Sequence, residues 1–127
     1  MRAGMQVIAV LDDEPEMRKA LRRLLTTQSF SVEEYESGKE FLSALDSHTV
    51  QCLLLDLQMP EFDGFDVLEA LRSRTRRVPV VVVTAHDEPE TVERARALGV
   101  SAYLKKPVDR DALFAAIASA TSTNPKP

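Results

Sequence analysis

Residues 78–85 read Val78-Pro79-Val80-Val81-Val82-Val83-Thr84-Ala85. An unbroken β-branched run marks a strand buried on both faces, because a half-exposed strand would alternate apolar with polar residues. Pro79 sits at the start of the run, where a missing N–H costs least. Val7-Ile8-Ala9-Val10-Leu11 and Cys52-Leu53-Leu54-Leu55 have the same continuous character. Ser31-Val32-Glu33-Glu34-Tyr35 alternates instead, which suits a weaker strand at a sheet edge. Ser101-Ala102-Tyr103-Leu104 is a last short run.

Helical periodicity fills the gaps. Met17, Leu21, Leu24 and Leu25 recur at i, i+4, i+7 and i+8 behind Pro15, a residue suited to a first helical turn. Ser37 and Glu40 have capping-box spacing ahead of Phe41, Leu42 and Leu45. Met59-Pro60 and Asp63-Gly64 mark a loop and a helix start before Val67, Leu68 and Leu71. Val92, Ala95 and Leu98 give a weak helix that Gly99 stops. Asp109 opens a final helix with Leu113, Ala116, Ile117 and Ala120 inward. Alternating strand and helix predicts an α/β, doubly wound, five-stranded parallel sheet with right-handed crossovers and helices on both faces. Five strands are too few for an eightfold barrel.

The chain has 127 residues, which predicts one domain at roughly 150 residues each. We expect that domain over residues 1–120, with the small, polar, Pro-containing residues 121–127 as linker or tail. The formal charge of −4 argues against direct nucleic-acid contact by this segment. One cysteine excludes an internal disulfide framework and a Cys-based zinc cage, and fits a cytoplasmic location. No apolar run approaches the ~20 residues of a membrane span, so no membrane contact is expected. Met1–Gln6 leads straight into the first strand, with no signal-peptide pattern.

In an open α/β sheet, function collects at the carboxyl ends of the strands. There the sequence puts Asp12, Asp13 and Glu14 after the first run, Asp56 after the third, Thr84 at the fourth and Lys105-Lys106-Pro107 after the last. Two carboxylates about 4 Å apart repel by roughly 4 kcal/mol at an effective dielectric of ~20. That is a large share of a typical stability of ~5–15 kcal/mol, so converging carboxylates need cations. Lys106 supplies one, and an oxygen-only site favours Mg²⁺ between Asp13 and Asp56. Asp is a competent nucleophile toward phosphorus, and phosphoryl transfer mainly demands positioning and charge neutralisation. Mg²⁺, the Lys106 ammonium and the Thr84 hydroxyl would bind the three phosphoryl oxygens. Each residue also has an ordinary role open to it: Asp12 and Asp13 as helix caps, Asp56 in a turn, Thr84 as a strand end, Lys106 in solvent.

On these residues the chain resembles the receiver domain of response regulators of bacterial two-component systems. The motifs are Val10-Leu11-Asp12-Asp13-Glu14, Leu54-Leu55-Asp56-Leu57-Gln58-Met59-Pro60 with Asp63-Gly64, Val83-Thr84-Ala85 and Lys105-Lys106-Pro107. They cover the chain from about Gln6 to about Ala120. The resemblance implies a flavodoxin-like (βα)5 sheet in order 2-1-3-4-5. It implies Asp56 as phosphoacceptor, Asp13 as direct Mg²⁺ ligand, Asp12 acting through water and the Gln58 carbonyl completing the set. Thr84 and Tyr103 would form the switch. Lys106, which immediately precedes a proline, would be the site lysine across a cis bond. Gln58 and His86 would line the entrance and tune dephosphorylation.

The expected partners are a sensor histidine kinase and, on phosphorylation, a second copy of the chain. The motif style resembles regulators with a helix-turn-helix output, hence transcriptional regulation, with a stand-alone receiver as the alternative. Lys105, His48 and His86 are read as surface residues, and Cys52 as core. The run Arg72–Arg77 resembles a nucleic-acid patch, but Arg at a helix end also suits the C-terminal dipole. An aspartate-nucleophile phosphatase would carry a second Asp at position 58, where this chain has Gln58, so a turnover enzyme is not expected. A phosphorylation-independent binding module would lack one of the acidic or lysine residues, and all are present.

Overall fold

The computed structural model describes residues 6–74 and 77–122. Strands and helices alternate as β1 (Val7–Leu11), α1 (Pro15–Thr26), β2 (Ser31–Tyr35), α2 (Gly38–Leu45), β3 (Cys52–Leu55), α3 (Gly64–Arg72), β4 (Val80–Thr84), α4 (Pro89–Ala97), β5 (Ala102–Lys105) and α5 (Arg110–Ser122). The strands pair in parallel in the order β2-β1-β3-β4-β5. The alternating strand β2 lies at an edge, as its pattern predicts. β4 begins at Val80 rather than Val78, yet the Pro79 carbonyl still accepts from the Leu53 N–H at 2.9 Å. Pro79 therefore serves the ladder with the one backbone group it retains.

Side chains leave alternate faces of each strand, and on β1, β3 and β4 both faces are buried. Ala9, Leu11, Leu53, Leu55 and Val82 pack with Phe41, Val67 and Leu68 of α2 and α3. Ile8, Val10, Leu54, Val81 and Val83 pack with Leu21 and Leu25 of α1 and with Leu113 and Ile117 of α5. Full burial of one such side chain contributes about 1.5–3 kcal/mol. Cys52 is buried in the second cluster, as read. Val50, Leu57 and Met59 are also core residues, though they lie outside the regular elements.

The helix ends mostly follow their sequence signals. Pro15 starts α1, the Asp109 carboxylate accepts from the Ala112 N–H at 2.9 Å, and Gly99 has φ 89° just past α4. At α2 the Ser37 hydroxyl accepts from the Glu40 N–H, but the Glu40 carboxylate accepts from Glu36 rather than Ser37, so the expected box is not closed. A complete capping box forms instead at α3, between Asp63 and Asp66. Helix α5 runs to Ser122, past the expected limit at 120, and residues 123–127 of the expected tail lie outside the described residues. Among the described residues no helix is long and apolar enough to cross a membrane.

Candidate functional site

Register brings the acidic residues together. Leu11 pairs with Leu55, so Asp12 and Asp56 leave adjacent strands at the same level. The Asp56 N–H donates to the Leu11 carbonyl at 3.0 Å, and the Asp12 N–H to the Tyr35 carbonyl at 3.2 Å. Thr84 ends β4 opposite Lys105, and the Lys106 N–H donates to the Thr84 carbonyl at 2.8 Å. The ladder thus delivers Asp12, Asp56, Thr84 and Lys106 to one edge of the sheet. The Lys106–Pro107 peptide is cis.

Carboxylate oxygens of Asp12, Asp13 and Asp56 lie within 4.8 Å of one another. Asp12 is 2% exposed and Asp56 5%, while Asp13 is half-buried. The Lys106 Nζ stands 3.0 Å from Asp12 Oδ2, 3.4 Å from Glu14 Oε1 and 3.5 Å from Asp56 Oδ2. Lys105 is exposed and instead pairs with Asp87 at 3.5 Å. The sequence reading assigned Glu14 no role, although it follows the aspartate pair directly. Its N–H donates to Asp12 Oδ1 at 2.9 Å, so it closes the loop as well as facing the lysine.

Burial pushes the Asp56 carboxyl above its ordinary range, and the neighbouring Asp12 charge adds to that. The Gln58 N–H, the Lys106 ammonium and the nearby Thr84 hydroxyl act in the opposite direction. The Gln58 N–H donates to Asp56 Oδ1 at 3.2 Å, with the Gln58 side chain exposed. Burial alone would lower the Lys106 pKa, but the Asp12, Asp56 and Glu14 carboxylates hold it above the usual lysine value. The Thr84 hydroxyl is fully buried and completes no hydrogen bond among the described residues, despite lying near Asp56.

Tyr103 is half-buried, and its hydroxyl donates to the His86 carbonyl at 2.6 Å. The predicted switch aromatic is therefore fastened to the loop that follows Thr84. The His86 ring faces Glu88 at 3.7 Å, and exposed His48 faces Glu33 at 3.3 Å. Arg72 and Arg77 are exposed, and Arg74 pairs with Asp46 at 2.6 Å. These three arginines line a cavity of about 490 Å³ with Val78 and Leu98, at the sheet edge opposite the carboxylates. Thr75 and Arg76 of that run lie outside the described residues.

The sequence profile of the response regulator receiver domain matches residues 8–118, from β1 into α5. GlrR, a transcriptional regulatory protein of Escherichia coli (strain K12), is 36% identical over 110 residues, 87% of this chain and 25% of that protein. FixJ, a transcriptional regulatory protein of Bradyrhizobium diazoefficiens, is 33% identical over 113 residues, 89% of this chain and 55% of that one. The chain thus spans about a quarter to about half of the length of these relatives. The crystal structure of a response regulator receiver protein from Burkholderia phymatum matches with a TM-score of 0.82 at 34% identity, covering 94% of this chain and 97% of that one. Motif order, strand order and profile agree, and the chain belongs to the response regulator receiver domain family.

Proposed function

We propose that this receiver takes a phosphoryl group onto Asp56 from a sensor histidine kinase, in a Mg²⁺-dependent reaction in the cytoplasm. Receiver domains of response regulators are phosphorylated by histidine kinases, and the curated relatives are transcriptional regulators. The observation that carries the reading is the convergence of the Asp12, Asp13 and Asp56 oxygens within 4.8 Å.

The donor set is all oxygen, which fits a hard divalent ion. Asp12, Asp13 and Asp56 would hold Mg²⁺, with the Gln58 backbone carbonyl as a further ligand. When bound, the ion neutralises charge on the phosphoryl oxygens. The Asp56 carboxylate attacks phosphorus: a P–O bond forms, the P–N bond of the phosphohistidine breaks, and its electron pair returns to the imidazole. Lys106 holds the Asp56 carboxylate in place and offers its ammonium to the incoming charge. The Thr84 hydroxyl, buried without a hydrogen-bond partner among the described residues, would donate to a phosphoryl oxygen. Its movement toward that oxygen would open space for Tyr103 and alter the face built from α4, β5 and α5. That face would then pair two receivers or release an output domain that regulates transcription.

Water later cleaves the acyl phosphate and restores Asp56. The chain resets itself rather than turning over added esters, since Gln58 cannot protonate a leaving alcohol. Intact mass after incubation with acetyl phosphate tests the reading. The expected result is one added phosphoryl group that requires Mg²⁺ and is absent in Asp56→Asn. A gain that persists in Asp56→Asn, or no gain even from a phosphorylated kinase, overturns it.

A further inference from the structure

We infer that Arg18 is a positioning residue for the metal-binding carboxylates; this rests on the Mg²⁺-dependent reading above. Successive side chains of an extended strand point to opposite faces. Yet the Asp12 and Asp13 carboxylates both reach the Asp56 cluster. The peptide joining them must therefore leave strand geometry, and something must hold it there.

Arg18 meets that need. It lies in the second turn of α1 with a side chain only 13% exposed. Its Nη1 donates to the Asp12 backbone carbonyl at 2.6 Å, the carbonyl of the peptide that carries Asp13. Its Nε stands 3.5 Å from Glu34 Oε1, and its Nη2 3.9 Å from Glu36 Oε1. Glu34 is held in turn by Arg22. A planar fork with five donors can serve a carbonyl and two carboxylates at once, whereas an ammonium cannot match that geometry. Glu34 offsets the guanidinium charge, so Arg18 grips the carbonyl while adding little net charge to the site. The Asp12 N–H on Tyr35 and the Asp12 side chain on the Glu14 N–H fix the other groups of this residue. The Asp12 carbonyl is the remaining handle, and it decides where Asp13 points.

Mn²⁺ binding to the unphosphorylated chain, followed by titration calorimetry, tests this, with thermal unfolding in EDTA as the fold control. Arg18→Met keeps most of the apolar stem and removes the fork. We expect its Mn²⁺ affinity to fall about tenfold, the usual scale for loss of a group that orients metal ligands. The Mg²⁺ concentration for half-maximal phosphorylation by acetyl phosphate should rise in parallel, while the rate at saturating Mg²⁺ stays close to wild type. Arg18→Lys should recover part of the affinity. A folded Arg18→Met that binds Mn²⁺ like wild type overturns the inference. Should Arg18→Met fail to fold, Arg18→Gln, which keeps a polar end but loses the fork, decides: weaker Mn²⁺ binding supports the role, and wild-type binding overturns it. A wild-type chain that binds no Mn²⁺ overturns the Mg²⁺ reading itself and this inference with it.

Discussion

The Lys106 ammonium lies 3.0 Å from Asp12 Oδ2 although 94 residues separate the two in sequence. Parallel pairing makes this possible: Asp12 leaves a central strand and Lys106 follows an edge strand, and both leave at the same end of the sheet. With Asp56 Oδ2 3.5 Å away, this one cation faces both buried carboxylates.

Lys106→Met should therefore lower stability by about 1–3 kcal/mol at pH 7 in EDTA, because charged groups lose a buried partner. The folded-state pKa of Lys106 is raised, so its contribution is fully present below the unfolded lysine value and is lost as pH rises through the folded one. The difference between variant and wild type should thus persist through neutral pH and vanish in strong alkali. Mg²⁺ should narrow it, since a divalent ion neutralises the same carboxylates. Urea unfolding in EDTA and in Mg²⁺ checks this, and an equal loss in both solutions would count against the shared site.

Asp56→Asn should stabilise the metal-free protein. The folded pKa of Asp56 is raised, so the native state holds a proton that the unfolded state has released, and stability falls as pH rises through that window. The amide removes one charge facing Asp12 and leaves the volume unchanged. We expect a gain of about 1 kcal/mol at pH 7, a few degrees in Tm for a chain of this size. The gain should disappear at a pH low enough to protonate Asp56. Calorimetry in EDTA across pH measures it, and a destabilised variant at pH 7 would contradict the account.

Most of the fold was legible because strand and helix signals agree. Val80–Val83 and Cys52–Leu55 are apolar on both faces and could only be central strands, and Ser31–Tyr35 alternates as an edge strand does. Asp12, Asp56 and Thr84 were legible because each directly follows or ends such a run, whereas Lys106 was told from Lys105 by the proline after it, through the resemblance to receiver domains. Arg18 was not: on the polar side of α1 it reads as a solvated residue, and only the turn of the chain past β1 brings the Asp12 carbonyl within its reach. The burial of Leu57 and Met59 was not legible, because they lie in a loop, where no period reveals the inward side.

Thr84→Val should raise stability while weakening the switch. The hydroxyl is fully buried and has no hydrogen-bond partner among the described residues, and leaving such a group unsatisfied costs about 1–3 kcal/mol. Valine fills nearly the same space without that cost, so a gain of about 1 kcal/mol is expected in urea unfolding. The same change removes the donor proposed for the phosphoryl group, so the phosphorylated variant should shift its Tyr103 fluorescence or its size-exclusion profile less than wild type does. A destabilised Thr84→Val would show that the hydroxyl has a partner in solution.

Gly64 and Gly99 should respond to alanine for different reasons and with different reach. A Cβ on Gly64 would sit 2.6 Å from Leu57 Cα and 2.7 Å from the Asp56 carbonyl oxygen, both backbone atoms that cannot swing away. The Gly64 N–H also donates to the Leu57 carbonyl at 3.2 Å, so α3 begins pressed against the segment that follows Asp56. Gly64→Ala should then cost about 1–3 kcal/mol and displace Asp56, slowing phosphorylation by acetyl phosphate. Around Gly99 an added Cβ meets nothing within 4 Å among the described residues, and its φ of 89° is what resists a side chain. Gly99→Ala should cost roughly 1–2 kcal/mol through that left-handed backbone alone and leave phosphorylation unchanged. Urea unfolding paired with intact mass after acetyl phosphate separates the two, and a Gly64→Ala protein phosphorylated at the wild-type rate would show that the α3 start does not position Asp56.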